Sequence, residues 1–254
     1  MLRALAGGAL FGEVWGPSPP ELLVLHGWGR SHGDFSAVVG PTAPAGPLAA
    51  WAPDLPGFGS SPAPPSAWGS AEYAAALVPL LEEAPGPARP VVVLGHSLGG
   101  RLAVTLAATR PDLVRALVLT GAPVGPRTGG GRRPPAGYRL ARALHRRGLL
   151  SEARMEAGRQ RHGSADYRAA EGVMRDVLVR LVNERYDDAL AAIGCPVELV
   201  WGDDDAEVPV EVARRLLSVL PDATLTLCPG AGHLTPLTAS DELRSAAERA
   251  LARS

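Results

Sequence analysis

A serine stands at the centre of Gly95-His96-Ser97-Leu98-Gly99, directly after the apolar run Val91-Val92-Val93-Leu94 and at the head of a helix-like stretch, Leu98–Thr109. A strand that turns sharply into a helix at a serine lifts the hydroxyl above the sheet, the arrangement of a nucleophile elbow. The flanking glycines remove side chains that would collide across the turn. The helix N-terminus then offers positive dipole and free N–H groups where an oxyanion would develop. The chemistry expected of Ser97 is therefore nucleophilic attack on an acyl carbon. A serine nucleophile needs a base and a group to orient that base. Three carboxylates in a row occur in Trp201-Gly202-Asp203-Asp204-Asp205-Ala206-Glu207-Val208-Pro209, and of the six histidines only His233 lies beyond them, in Pro229-Gly230-Ala231-Gly232-His233.

The elements that must hold these residues are legible as an alternation. Short apolar runs at Leu22–Leu25, Val91–Leu94, Leu117–Leu119 and Val197–Val200 are separated by helix-length stretches, which implies a parallel sheet covered on both faces. Ala223–Leu227 alternates threonine with leucine and suits a half-exposed edge strand. Helices are expected over Ser70–Ala84, Leu98–Thr109, Pro209–Leu220 and Ser240–Ala250, the third opening on a proline whose missing N–H costs nothing there. The N-terminal apolar run is short and broken by glycines, and with the turn at Gly16-Pro17 it reads as a β-hairpin rather than a signal peptide.

The alternation stops at Gly121-Ala122-Pro123 and resumes near Asp187. Between them, a Gly/Pro-rich stretch leads into helical patterns at Tyr138–Arg147, Glu152–Arg161 and Ala165–Asn183, with Val173, Val177 and Leu181 forming one apolar stripe on the last. This divides the chain into a core at 1–124, a helical cap insertion at 125–186, and the rest of the core at 187–254.

The chain has 254 residues and 46% hydrophobic content, enough for one large α/β domain. It contains no lysine, and its abundant Ala, Gly and Pro resemble a coding bias, which weakens any argument from arginine counts alone. Net charge is −1, yet 127–188 carries 14 Arg against 8 acidic residues, a basic island. A chain that is not basic overall and lacks a reading module is not expected to bind nucleic acid. No run of about 18 apolar residues suggests a membrane span. Cys195 and Cys228 fall at opposite ends of neighbouring strands, too far apart to bridge, and point to a reducing, cytoplasmic setting. No HExxH or paired-Cys spacing suggests a metal, and no cofactor is expected.

With the elbow in place, the sequence resembles the α/β-hydrolases over nearly its whole length. The resemblance implies the α/β-hydrolase fold, a mostly parallel central sheet flanked by helices with a small helical cap. His26-Gly27-Trp28-Gly29 looks like the family's oxyanion loop, in which the amides of Trp28 and Leu98 would hold the oxyanion. Asp54-Leu55-Pro56-Gly57-Phe58-Gly59-Ser60-Ser61 looks like the loop signature that follows. Together these two motifs are similar to those of pimeloyl-acyl-carrier-protein methyl ester esterases. The family order of serine, acid and histidine implies His233 as general base, and the acid three residues after the glycine implies Asp205, with Asp203 as the alternative. Serine at the elbow, where epoxide hydrolases and haloalkane dehalogenases carry aspartate, implies a carboxylesterase working through an acyl-enzyme.

Several residues carry two readings. His26 and His96 flank the site as shapers of the backbone, His26 also as a substrate contact. His32, His145 and His162 read as surface or cap residues. Arg101, one helical turn after Ser97, is either a helix-surface arginine or a substrate anchor like that of the family's menaquinone-pathway pyruvate-eliminating lyases. In that alternative Ser97 and His233 form a base and no acyl-enzyme arises; a non-catalytic ligand-binding member is the other alternative. Arg139, Arg142 and Arg146 share one helix face, followed by Arg154, Arg159 and Arg161. That face is either solvated or a docking surface for an acidic acyl carrier protein.

Overall fold

The computed structural model of the chain describes residues 1–82, 90–125, 144–145, 147–151, 154 and 165–253. Eight strands form one sheet: β1 (Arg3–Leu5), β2 (Leu10–Trp15), β3 (Leu22–Leu25), β4 (Ala50–Asp54), β5 (Val91–His96), β6 (Val114–Thr120), β7 (Val197–Gly202) and β8 (Ala223–Cys228). Their spatial order is β1-β2-β4-β3-β5-β6-β7-β8. The β1/β2 and β2/β4 pairs are antiparallel and every other pair is parallel. Around the sheet lie α1 (Ser70–Glu82), α2 (Leu98–Thr109), α3 (Ala165–Ala169), α4 (Gly172–Asn183), α5 (Asp187–Ala191), α6 (Val210–Val219), α7 (Thr235–Thr238) and α8 (Ser240–Ala252).

The continuous apolar runs are explained by burial on both faces. Val91 and Val93 of β5 enter the core layer shared with α1, α2 and α6, whereas Val92 and Leu94 enter the opposite layer with α8 and Phe35. Leu23 and Leu25 of β3 are divided from Leu22 and Val24 in the same way. Strict period-2 geometry sends successive side chains into different layers, so a strand between two layers has no polar face to show. β8, with one neighbour, keeps Thr224 and Leu227 exposed, as an edge strand should.

The sequence concealed β4 because proline interrupts it. Pro53 is accommodated because the β3 ladder reaches only Trp51, and on its other side it faces Gly12, where a Cβ would lie 2.5 Å from the Pro53 Cα. The expected single helix over Ala165–Asn183 is two. Glu171 is extended and Gly172 takes φ +51°, a break the stripe of Val173, Val177 and Leu181 does not reveal. Val177 and Leu181 are buried as that stripe requires. The helical patterns at Tyr138–Arg147 and Glu152–Arg161 fall largely outside the described residues, as do Arg139, Arg142, Arg146, Arg159, Arg161 and His162. Among the described residues no helix is long and apolar enough to cross a membrane. Both cysteines are free, and burial pushes the Cys228 thiol up to about 11.

His32 is not the surface residue expected of it. Its Nδ1 lies 2.7 Å from Oδ1 of the buried Asp54, which also accepts the His32 amide at 2.9 Å, while Oδ2 accepts the Ser60 amide at 2.8 Å. Burial would raise the Asp54 carboxyl, but the imidazole and the two amides outweigh it and hold it below the usual range. Glycine is required at Gly59, at φ +53°, because a Cβ there would strike this carboxylate. One carboxylate therefore pins both ends of the Asp54–Ser61 turn. Asp54→Ala should lower unfolding free energy by about 2–4 kcal/mol, measured by urea denaturation at neutral pH.

Candidate active site

Ser97 occupies the turn between β5 and α2 with φ 51° and ψ −109°, a region that only packing on all sides can impose on a non-glycine residue. Its amide donates to the Thr120 carbonyl at 3.0 Å and the Gly99 amide donates to the His26 carbonyl at 3.1 Å, tying the elbow to β6 and β3. A Cβ on Gly95 would lie 2.5 Å from the Gly99 carbonyl oxygen, and one on Gly99 would strike the Leu25 carbonyl. The two glycines of the motif are thus demanded by backbone approach.

The His26–Gly29 loop crosses in front of the elbow. A Cβ on Gly27 would sit 2.8 Å from His96 Nδ1 and 3.4 Å from Ser97 Cβ, so glycine is what lets this loop approach the serine. Among the described residues neither the Trp28 nor the Leu98 amide donates a hydrogen bond, and the Ser97 hydroxyl has no partner. The loop thus approaches the serine at the N-terminus of α2, a setting suited to negative charge.

His233 and Asp205 arrive from the loops after the two strands at the far end of the sheet. His233 Nδ1 lies 2.8 Å from Asp205 Oδ2, with the carboxylate buried and the imidazole 10% exposed. Asp205 Oδ1 accepts the amides of Glu207 at 2.9 Å and Val208 at 2.8 Å. The Trp201 indole donates to the Val208 carbonyl at 2.8 Å and closes the loop from the other side. Of the three adjacent aspartates, Asp203 accepts the Gly230 amide at 2.7 Å and Asp204 is exposed, so it is Asp205 that meets His233. Gly121, directly after the Thr120 that receives the Ser97 amide, would with a Cβ stand 2.9 Å from His233 Cε1. The serine and imidazole thus flank the end of β6.

A chain with a strained serine at the end of a central parallel strand, and an acid-held histidine from later loops, invites comparison with known proteins. The model of the alpha/beta hydrolase family matches residues 22–246. The chain belongs to the alpha/beta hydrolase family. This α/β hydrolase is 32% identical to the pimeloyl-[acyl-carrier protein] methyl ester esterase of Chromobacterium violaceum, over 94% of this chain and 97% of that protein. It is also 44% identical to the lipase LipV of Mycobacterium tuberculosis, over 42% of this chain and 39% of that one. Among solved structures, a thermophilic esterase from Thermogutta terrifontis superposes with a TM-score of 0.72 at 23% identity, covering 100% of this chain and 98% of that one. A bromoperoxidase from Bacillus anthracis does nearly as well, with a TM-score of 0.71 at 20% identity over 99% of this chain and 100% of that one. Likeness at that level establishes the fold and leaves chemistry to the site.

Two expected substrate contacts of the α/β hydrolase are otherwise engaged. His26 is buried, its Nδ1 2.8 Å from the Gly27 carbonyl and its Nε2 accepting the Leu55 amide at 2.9 Å, so neither nitrogen remains for a ligand. Arg101 donates to the Leu181 carbonyl and lies over the Tyr186 ring, 5.6 Å from its centroid. Its guanidinium fastens α2 to the C-terminal end of α4 instead of meeting a carboxylate. A second clamp stands nearby, where the Glu184 carboxylate accepts from the Ser70 amide at 3.0 Å, with the Tyr186 hydroxyl at 2.8 Å. Among the described residues no group of three or more His, Cys, Asp or Glu side chains is arranged to hold a metal.

Sequence reasoning missed the part played by His96. Its Nε2 donates to the His233 carbonyl at 2.9 Å, and its Nδ1 is buried without a partner, so it braces the base through its backbone. Burial and the neighbouring His233 push the His96 imidazole down to about 4, which keeps it neutral. Burial also acts against a proton on His233, but the hydrogen bond and charge of Asp205, with Glu207 and Asp166 beyond it, raise that imidazole above the ordinary value. By NMR, the His233 ring should titrate above about 6.5 and His96 near about 4. Asp205→Asn should lower the His233 midpoint while leaving the His96 midpoint low, and an unmoved His233 would contradict the pairing.

Proposed function

We propose that this α/β hydrolase is a serine carboxylesterase that works through an acyl-enzyme, with Ser97, His233 and Asp205 as its triad. The observation that carries this reading is the buried Asp205–His233 pair beside the end of β6, to which a serine held at positive φ is also tied. Asp205 accepts from Nδ1–H and thereby leaves Nε2 as the acceptor. Nε2 takes the Ser97 proton as Oγ attacks the ester carbonyl, and the Trp28 and Leu98 amides receive the oxyanion. As the intermediate collapses, the C–O bond to the alcohol breaks and the alcohol takes the proton from Nε2. Water, activated by the same nitrogen, then attacks the acyl-enzyme and releases the acid and free Ser97. Among the described residues no hydrogen bond joins Ser97 to His233, and a catalytic hydrogen bond of this kind commonly forms only with substrate bound.

We assign 125–186 to a cap over this site, flanked by core parts at 1–124 and 187–254. In support, Met174 of α4 lies so close to Gly57 of the Asp54–Ser61 turn that a Cβ there would overlap its side chain. The pyruvate-eliminating alternative requires Arg101 for a substrate carboxylate, and its engagement with Leu181 and Tyr186 counts against that reading. The non-catalytic alternative has no reason to keep the charge-paired base. Relatives named for an acyl-carrier-protein methyl ester supply the support for a carrier-linked substrate and an acidic carrier as partner. Two free cysteines fit a cytoplasmic site of action.

The test is a panel of p-nitrophenyl esters of graded chain length, run beside a methyl ester of an acyl carrier protein at low and high salt. Ser97→Ala should reduce kcat by about 10³-fold or more on every substrate that is turned over. Intact mass during turnover of the wild type should show an acyl adduct on Ser97, and full activity in Ser97→Ala would refute the assignment.

A further inference from the structure

Glu207 has no part in the chemistry described so far, yet its Oε2 lies 3.6 Å from His233 Nε2, the nitrogen that exchanges protons with the reacting groups. Its position is fixed. The Glu207 amide donates to Asp205 Oδ1 while Asp205 Oδ2 holds the imidazole, so one carboxylate locates both the base and its neighbour. The Glu207 side chain is 69% exposed, which places its charge at the mouth of the site rather than in the core.

In an acyl transfer the alcohol departs as it takes its proton from Nε2, so the leaving oxygen must be close to that nitrogen. Whatever the alcohol carries therefore passes beside Glu207. We propose that Glu207 is a specificity-determining residue that selects esters by the charge of their alcohol, favouring a cationic leaving group over a neutral one of the same shape. The proposal rests on the esterase reading and adds the side of the substrate on which charge is read. His233 faces Asp205 and Glu207 from its own side of the sheet and His96 from the elbow, with Asp166 of α3 acting at longer range. Asp205 is buried and satisfied, and His96 is neutral, so among the described residues Glu207 is the exposed charge beside Nε2.

The experiment compares butyrylcholine with its neutral isostere, 3,3-dimethylbutyl butyrate, on the wild type and on Glu207→Gln. The ratio of kcat/KM for the cationic to the neutral ester should fall by roughly two- to five-fold in Glu207→Gln, the size expected for an exposed charge pair. In the wild type the same ratio should decline as salt is raised, since the carboxylate is screened by solvent ions. The acid limb of the neutral ester's pH profile should also move to lower pH in Glu207→Gln, because a negative charge beside the imidazolium is lost; a merely structural side chain would not move it. Turnover of the neutral ester with a ratio unmoved by the substitution overturns the inference and leaves the esterase reading standing. Turnover of neither ester by the wild type counts against the esterase reading itself, and against the inference with it.

Discussion

The backbone approach at Gly95 and Gly99 is the constraint from which the rest of the site follows. A turn at φ +51° on a serine costs of order 1–3 kcal/mol and survives only where neighbours leave no alternative. Here the loop after β3 supplies the His26 carbonyl, β6 supplies the Thr120 carbonyl, and Leu25 closes the remaining space. The sheet order that puts β5 between β3 and β6 is thus a condition of the chemistry. With Ser97 so fixed, the other groups of the proposed triad need only be delivered to the C-terminal ends of later parallel strands, where ligands of open α/β sheets bind.

Delivery of the acid and base relies on polar stitching. The Asp204 amide donates to the Ala231 carbonyl, the Asp203 amide to the Cys228 carbonyl, and Asp203 itself receives the Gly230 amide. The loops after β7 and β8 are therefore one unit, and Asp205 at its centre has each oxygen committed. Such full satisfaction offsets the cost of burying a carboxylate beside an imidazole.

Most of the sheet, and the residues brought together at its rim, are legible in the sequence because each follows from local physics. Apolar runs bounded by Gly and Pro mark strands between two layers, and the glycines about Ser97 announce a turn that only glycine permits. Asp205 needed more than local physics, since three adjacent aspartates differ only in register, and that register is set by Trp201 reaching Val208 and Asp203 reaching Gly230. β4 was hidden by Pro53, whose tolerance depends on where a neighbouring ladder ends. The partners of His32, His26 and Arg101 were illegible for a shared reason. Each is spent on a partner 20 or more residues away, Asp54, Leu55 and Leu181, and no spacing rule links them.

The sheet also divides the site by robustness. Ser97 stands on β5, flanked by strands on both sides and by helices above and below, whereas His233 follows β8, which has β7 alone beside it and much of its length open to solvent. Backbone amides at such a rim exchange with solvent through small local openings, while those of a central strand wait for global unfolding. On that ground Ser97 and His233, the proposed nucleophile and base, are expected to open on different timescales. Fraying at the β8 rim would separate His233 from a serine still mounted on an intact elbow before the fold itself melts.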